Sequence, residues 1–173
     1  SISKGFKDFE IESTRAFPTI FRIRYAIDYR KTVMGKDFSC SRIIFGEADQ
    51  FPGMTADLFG DVLVTEILSL GIERIKPMLY RILKEELHSA GTDIRCIYER
   101  NESELRVKEG MGKYKGYYHF PEEAAEEPED GHIVICENDI LYNVDYINGQ
   151  KTGFFLDQKY NRRAAAKIAP NLK

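Results

Sequence analysis

The sequence predicts an α+β fold, a central mixed unit with an antiparallel sheet and helices, followed by a β-hairpin and a further helix. Three observations carry this expectation. Two stretches space their apolar residues at helical intervals, several short β-rich runs are separated by Gly, Asn and Asp corners, and an acidic, Pro-interrupted stretch divides the chain. The predicted organisation is a central α+β unit over residues 1–120, a linker over 121–131, and a hairpin with a helix over 132–173.

The first helix is predicted over residues 21–34, which contain no Gly or Pro before Gly35; Ile20, Ile23, Ile27 and Met34 fall on one face, and Pro18 stands near the start. Arg22 lies beside Tyr25 and Tyr29 on the opposite side, and Arg24 and Lys31 share a third direction. Extended segments are predicted over 42–45, 54–58 and 62–67, with Phe59-Gly60-Asp61 as the turn between the last two. A second helix is expected to begin at Pro77, a residue tolerated at a first helical position, and to present Leu79, Ile82, Leu83 and Leu87 before Gly91 stops it. Residues 94–99 and 105–108 read as short strands around the polar corner Arg100-Asn101-Glu102.

Between Pro121 and Gly131 the chain carries Glu122, Glu123, Glu126, Glu127, Glu129 and Asp130 with Pro128, a composition that builds no core. Beyond it, 132–136 and 140–146 are β-rich runs joined by Glu137-Asn138-Asp139. Asp157 is placed to cap a helix over 158–168, with Pro170 as its stop.

Composition narrows the classes. The chain has 173 residues, 43% hydrophobic and 31% charged, as expected of a globular chain holding one ordinary domain or a small domain with an appendage. No apolar run approaches the roughly 18–20 residues of a membrane helix, and the N-terminus lacks a signal-peptide layout, so a cytoplasmic address is expected. Cys40, Cys96 and Cys136 are odd in number and far apart, which suits buried thiols in a reducing compartment. The net charge of −3 is unlike a generic nucleic-acid binder, but Lys151, Lys159, Arg162, Arg163, Lys167 and Lys173 are offset only by Asp157 near the end.

Chemistry-bearing motifs are mostly absent. Gly110-Met111-Gly112-Lys113-Tyr114-Lys115-Gly116 places its third glycine one residue late for a dinucleotide turn and is expected to be a loop. Gly149-Gln150-Lys151-Thr152-Gly153 lacks the glycine before lysine that a nucleoside triphosphate loop requires. His88, His119 and His132 are scattered, so no metal site is expected. Glu47 and Asp49 have no visible partner base and suit a turn or an ion pair.

More distinctive is an ordered series of strings: Ile43-Ile44-Phe45-Gly46-Glu47-Ala48-Asp49, Pro52-Gly53-Met54, Asp57-Leu58-Phe59-Gly60-Asp61, then Asn148-Gly149-Gln150-Lys151-Thr152-Gly153-Phe154-Phe155-Leu156-Asp157-Gln158 with Asn161-Arg162. Together they resemble the bacterial 23S rRNA cytosine-C5 methyltransferase family, whose members join an RNA-binding PUA domain, a central α+β domain and a Rossmann-like methyltransferase domain. The resemblance implies that 132–173 form the hairpin and first helix of that last domain. It implies S-adenosylmethionine as cofactor of the whole protein and ribosomal RNA as its partner. The PUA domain, the glycine-rich cofactor turn and the attacking cysteine lie outside this sequence, so no catalytic residue is expected here, no tight cofactor binding, and no activity from the chain alone.

By the same resemblance Lys151, Gln158, Asn161 and Arg162 adjoin cofactor and substrate, although Gln158 and Asn161 equally suit bracing of a hairpin-to-helix junction. Phe154 and Phe155 suit core packing. Arg22, Arg24, Arg30 and Lys31, with Tyr25 and Tyr29 for stacking, are candidates for RNA contact, as are Arg100 and Asn101. The alternative from another class is a non-enzymatic module for RNA docking or self-association, in which the apolar hairpin makes a homodimer.

Overall fold

The computed structural model describes residues 2–123 and 127–169. Its elements in order are α1 (Ile2–Met34), β1 (Cys40–Phe45), β2 (Met54–Phe59), β3 (Val62–Ile67), α2 (Leu70–Ser89), β4 (Cys96–Asn101), α3 (Glu104–Lys108), β5 (Tyr114–Tyr118), β6 (His132–Glu137), β7 (Ile140–Asp145) and α4 (Lys159–Ile168), with short 3-10 turns at Gly35–Asp37, Gly46–Asp49 and Leu156–Gln158. The first five strands form one sheet in the order β1-β2-β3-β4-β5, and β6 and β7 form a separate hairpin. Only β3 and β4 pair in parallel, because α2 carries the chain back across the sheet between them. The fold is α+β, as the sequence predicts.

The period-two alternation of the strands gives the sheet two buried faces. Met54, Ala56, Leu58, Leu63, Ile67 and Ile97 pack with Ile23 and Ile27 of α1 and Leu79, Ile82, Leu83 and Leu87 of α2. The residues between them, Phe59, Val62, Val64, Cys96 and Tyr98, meet Ile135, Val144 and Tyr146 of the hairpin region. The hairpin is therefore the cover of the second face. Gly60, at φ +59 in the β2–β3 turn, lies beneath it: a Cβ there would stand 3.0 Å from Ile133.

Several boundaries differ from the sequence reading. Helix α1 begins at Ile2 and keeps Pro18 inside it, since the missing proline donor costs one intrahelical bond without ending a long helix. Helix α2 begins seven residues before Pro77, because the Ser69 side chain accepts from the Ile72 amide and nucleates the first turn there. Residues 104–108 are a helix, with Ser103 accepting from the Leu105 amide. Residues 114–116, part of the loop expected over 110–116, instead join 117–118 and pair with β4 as the edge strand β5, whose tyrosines reach both faces: Tyr118 meets Tyr80 edge-to-face, and Tyr117 meets Tyr98 in the same way. Asp157 does not cap α4; it pairs with Lys151 instead. Pro170, Lys173 and Glu126 lie outside the described residues. Gly91 does end α2, at φ +90.

Cys40 and Cys96 are buried, but Cys136 is exposed, since it sits on the outer face of β6. Burial, and next the nearby Glu137 carboxylate, push the Cys40 thiol up to about 12. Ellman's reagent at pH 8 is therefore expected to label Cys136 promptly and the other two thiols only in denaturant. Rapid labelling of more than one thiol in the native state would contradict this packing.

Candidate functional site

The string 148–162 runs from the hairpin into α4, bound to the central sheet over 148–152 and to Asp37 and the hairpin further on. It leaves β7 through a tight turn in which Asp145 Oδ1 accepts from the amides of Asn148 (2.8 Å) and Ile147 (3.0 Å). Those bonds, the Asn148 amide first, hold the Asp145 carboxyl below its usual range. The loop then folds back so closely that a Cβ at Gly149 would lie 2.2 Å from the Asp145 carbonyl oxygen. Only glycine fits there.

At this end the hairpin-side face of the sheet turns polar, with Arg42, Asp57, Glu66 and Arg100. Asp57 is wholly buried; it receives a two-pronged bond from Arg42 (2.7 and 2.9 Å) and a third from the Thr152 hydroxyl. Arg100 donates to the Gly149 carbonyl, and Lys115 reaches Asn148 Oδ1 at 3.3 Å. Burial raises the Glu66 carboxyl above its ordinary value. Arg42, Glu66, Arg100, Lys151 and Thr152 help line a cleft of about 370 Å³.

Further along, the turn and α4 attach to the end of α1. Lys159 Nζ pairs with Asp37 at 2.8 Å with both side chains buried, and Asp37 also accepts from the Asn138 amide. Arg162 grips the buried Glu137 through two bonds (2.7 and 2.8 Å) and lies 4.3 Å from the centre of the Phe154 ring. Phe154 is packed, as expected, while Phe155 is exposed at the surface, its ring under Lys151. A second cleft, of about 390 Å³, lies between the end of α1, the β6–β7 turn and α4.

The four residues expected beside a cofactor do not close around one cavity among the described residues. Lys151 pairs with Asp157 at 3.0 Å and lines the first cleft; Arg162 lines the second. Gln158 Oε1 accepts from Asn161 Nδ2 at 2.7 Å, the bracing arrangement of a junction.

The RNA candidates are likewise dispersed. Arg24 grips Glu86 through two bonds, Lys31 donates to the Ala90 carbonyl, and Arg30 holds Asp49 and the Arg42 carbonyl with little exposure. Asp49 also accepts from the Phe45 amide, the turn and ion-pair role its spacing suggests. Asn101 is wholly buried and accepts from the Ile67 amide. Among these cations only Arg22 is exposed with no bond to a described residue. Tyr25 and Tyr29 are exposed beside it. Among the described residues no cluster of His, Cys, Asp and Glu could hold a metal ion, and no helix is long and apolar enough to cross a membrane.

Sequence reasoning missed Asp57, Asp37, Glu137 and Thr152, which anchor the string. The available signal was Asp57 itself, a charge in the middle of an apolar strand, which demands a partner when buried.

A further, half-buried group sits at the β5 edge of the sheet, where Glu73 bonds Lys76 (2.9 Å) and Arg106 (3.0 Å). Burial acts to raise the Glu73 carboxyl, but the bonds from Lys76 and Arg106 outweigh it and hold it below its usual range. A depressed carboxyl stabilises the fold above its unfolded value of about 4.3 and loses that contribution as pH falls through the folded value. Glu73→Gln is therefore expected to flatten the fall in urea midpoint below pH 5; an unchanged pH profile would refute the pairing.

The fold matches that of about a third of the length of chains assigned as methyltransferases. One, from Streptococcus mutans, superposes with a TM-score of 0.66 at 21% identity over 86% of this chain and 35% of its own length. Another methyltransferase chain, complexed with SAH, superposes with a TM-score of 0.65 at 22% identity. By sequence the chain is homologous to part of ribosomal RNA large subunit methyltransferase I: 38% identical to that of Aliivibrio fischeri over 130 residues, 75% of this chain and 30% of the relative. The Aeromonas salmonicida protein is 35% identical over 147 residues, 84% of this chain and 34% of the relative. The chain thus spans about a third of the curated relatives it matches. No protein-family model matches it.

Proposed function

We propose that this chain is the central region of a ribosomal RNA large subunit methyltransferase, of the family that transfers a methyl group from S-adenosylmethionine to C5 of a cytosine in 23S rRNA. The observation that carries this reading is the 38% identity to such an enzyme over three quarters of the chain. In this reading residues 1–120 are the central unit, 121–131 a linker, and 132–173 the approach to the catalytic domain. Lys151, Gln158, Asn161 and Arg162 adjoin the cofactor only once that domain completes the site. Arg22 on α1 contributes to RNA contact, and the whole protein works in the cytoplasm.

Two experiments test it. Expression of the longer protein that contains this region, in a bacterium lacking ribosomal RNA large subunit methyltransferase I, is expected to restore the missing 5-methylcytosine, read by mass spectrometry of 23S rRNA digests. A strain that stays unmethylated argues against the cytosine assignment. Purified residues 1–173, incubated with unmodified 23S rRNA and tritiated S-adenosylmethionine, are expected to incorporate no label. Incorporation would show that the chain holds a complete active site.

A further inference from the structure

We propose that the second cleft, between the end of α1, the β6–β7 turn and α4, docks the phosphate backbone of single-stranded RNA. The inference rests on the ribosomal RNA reading above and places the contact at the basic end of the chain rather than on α1 or at the Arg100-Asn101 corner.

The charges decide it. The cleft is lined by five cations, Lys36, Lys159, Arg162, Arg163 and Lys167, against two carboxylates, Asp37 and Asp139, in a chain whose net charge is −3. These cations are not equivalent. Lys159 and Arg162 are committed to Asp37 and Glu137 in pairs with little exposure, and they build the floor. Arg163 and Lys167 are exposed and bond no described residue. Lys36 holds Asp139 with both side chains well exposed, a pair that water screens and a phosphate can displace. Three cations are thus available around the cleft, whereas Arg24, Arg30 and Lys31 of α1 are already spent. Tyr160, 57% exposed on the same helix, offers a ring on which an unstacked base can lie.

The test is fluorescence anisotropy of a labelled single-stranded RNA of mixed sequence with the 173-residue chain across a salt series. The double variant Arg163→Glu with Lys167→Glu alters only exposed positions. It is expected to weaken binding about tenfold or more and, with two phosphate contacts gone, to reduce the slope of log affinity on log salt by about 1.4. Lys108→Glu, exposed on α3 at the opposite end of the sheet, is expected to bind as the unaltered chain does. The inference is overturned if the unaltered chain binds no RNA, if the double variant binds unchanged, or if Lys108→Glu weakens binding equally. It is also overturned if polyglutamate competes as well as RNA does, which would make the cleft a site for acidic protein. Any of these leaves the methyltransferase reading to the separate rRNA methylation test.

Discussion

Asp57→Ala is expected to destabilise the protein by about 3 kcal/mol, because it removes one partner of a largely buried ion pair and leaves the other behind. The Asp57 carboxylate is wholly inside the protein and takes three hydrogen bonds, two from Arg42 and one from Thr152. In its absence the Arg42 guanidinium, on a side chain 30% exposed, must turn to water across the polar end of the sheet. Thr152 loses its tie at the same time, so the loop 149–153 is held to the sheet by the Arg100 bond to the Gly149 carbonyl and loosens around Lys151. Two readouts separate these consequences. Urea unfolding reports the loss of stability, and trypsin is expected to cut after the exposed Lys151 faster in the variant than in the parent chain. Asp57→Asn, which keeps shape and one acceptor, should recover part of the loop's protection but little of the ion pair. A stability loss under about 1 kcal/mol, the scale of an exposed pair, would mean that Asp57 is not the anchor described.

Arg106→Ala is expected to be at least as costly, about 3–4 kcal/mol, since the side chain is a buried cation serving several acceptors at once. Only 2% of it is exposed. It donates to the carbonyls of Ile67 and Gly112 and to Glu73, and lies 5.1 Å from the Tyr114 ring centre. Through it α3, the end of β3, the start of α2 and the edge strand β5 share one fastening. Truncation leaves two carbonyl groups without their donor and Glu73 with Lys76 alone. Arg106→Lys should restore only part of the loss, because a single ammonium cannot reproduce the planar fork that reaches three acceptors. Full recovery with lysine, measured by urea unfolding, would reduce the role of Arg106 to charge alone.

The α+β class, the strands β1 to β4, the hairpin β6–β7 and the existence of α2 and α4 were legible from the sequence because each has a strong local signal. Apolar residues at helical spacing lie on α1 and α2, and Gly60 and Asn138-Asp139 mark two-residue turns, the latter pair at positive φ. The missed elements are those whose conformation depends on distant neighbours. Residues 105–108 have too few positions to show a period, and their helix is stabilised by Ser103 and by Arg106 reaching back to Ile67. Strand β5 contains Gly116 and acquires its identity only by pairing with β4.

The same division holds for the functional surfaces. The string 148–158 identified itself by its residues, while the fold showed that no side chain fits at its Gly149. Which cations are free for a ligand was not readable. Arg24 and Arg30 have the same chemistry as Arg163, but Glu86 and Asp49 lie 62 and 19 residues away in the chain and neutralise them only after folding. By itself the sequence determined the fold class, the elements with a strong local signal and the kinship with rRNA methyltransferases, because periodicity, turn chemistry and identity are properties of neighbouring residues. Tertiary structure decided that the hairpin covers the back of the sheet, that Asp57 and Asp37 bind the terminal string, and which charges face solvent, because Coulomb attraction and burial act between groups the chain brings together only when it folds.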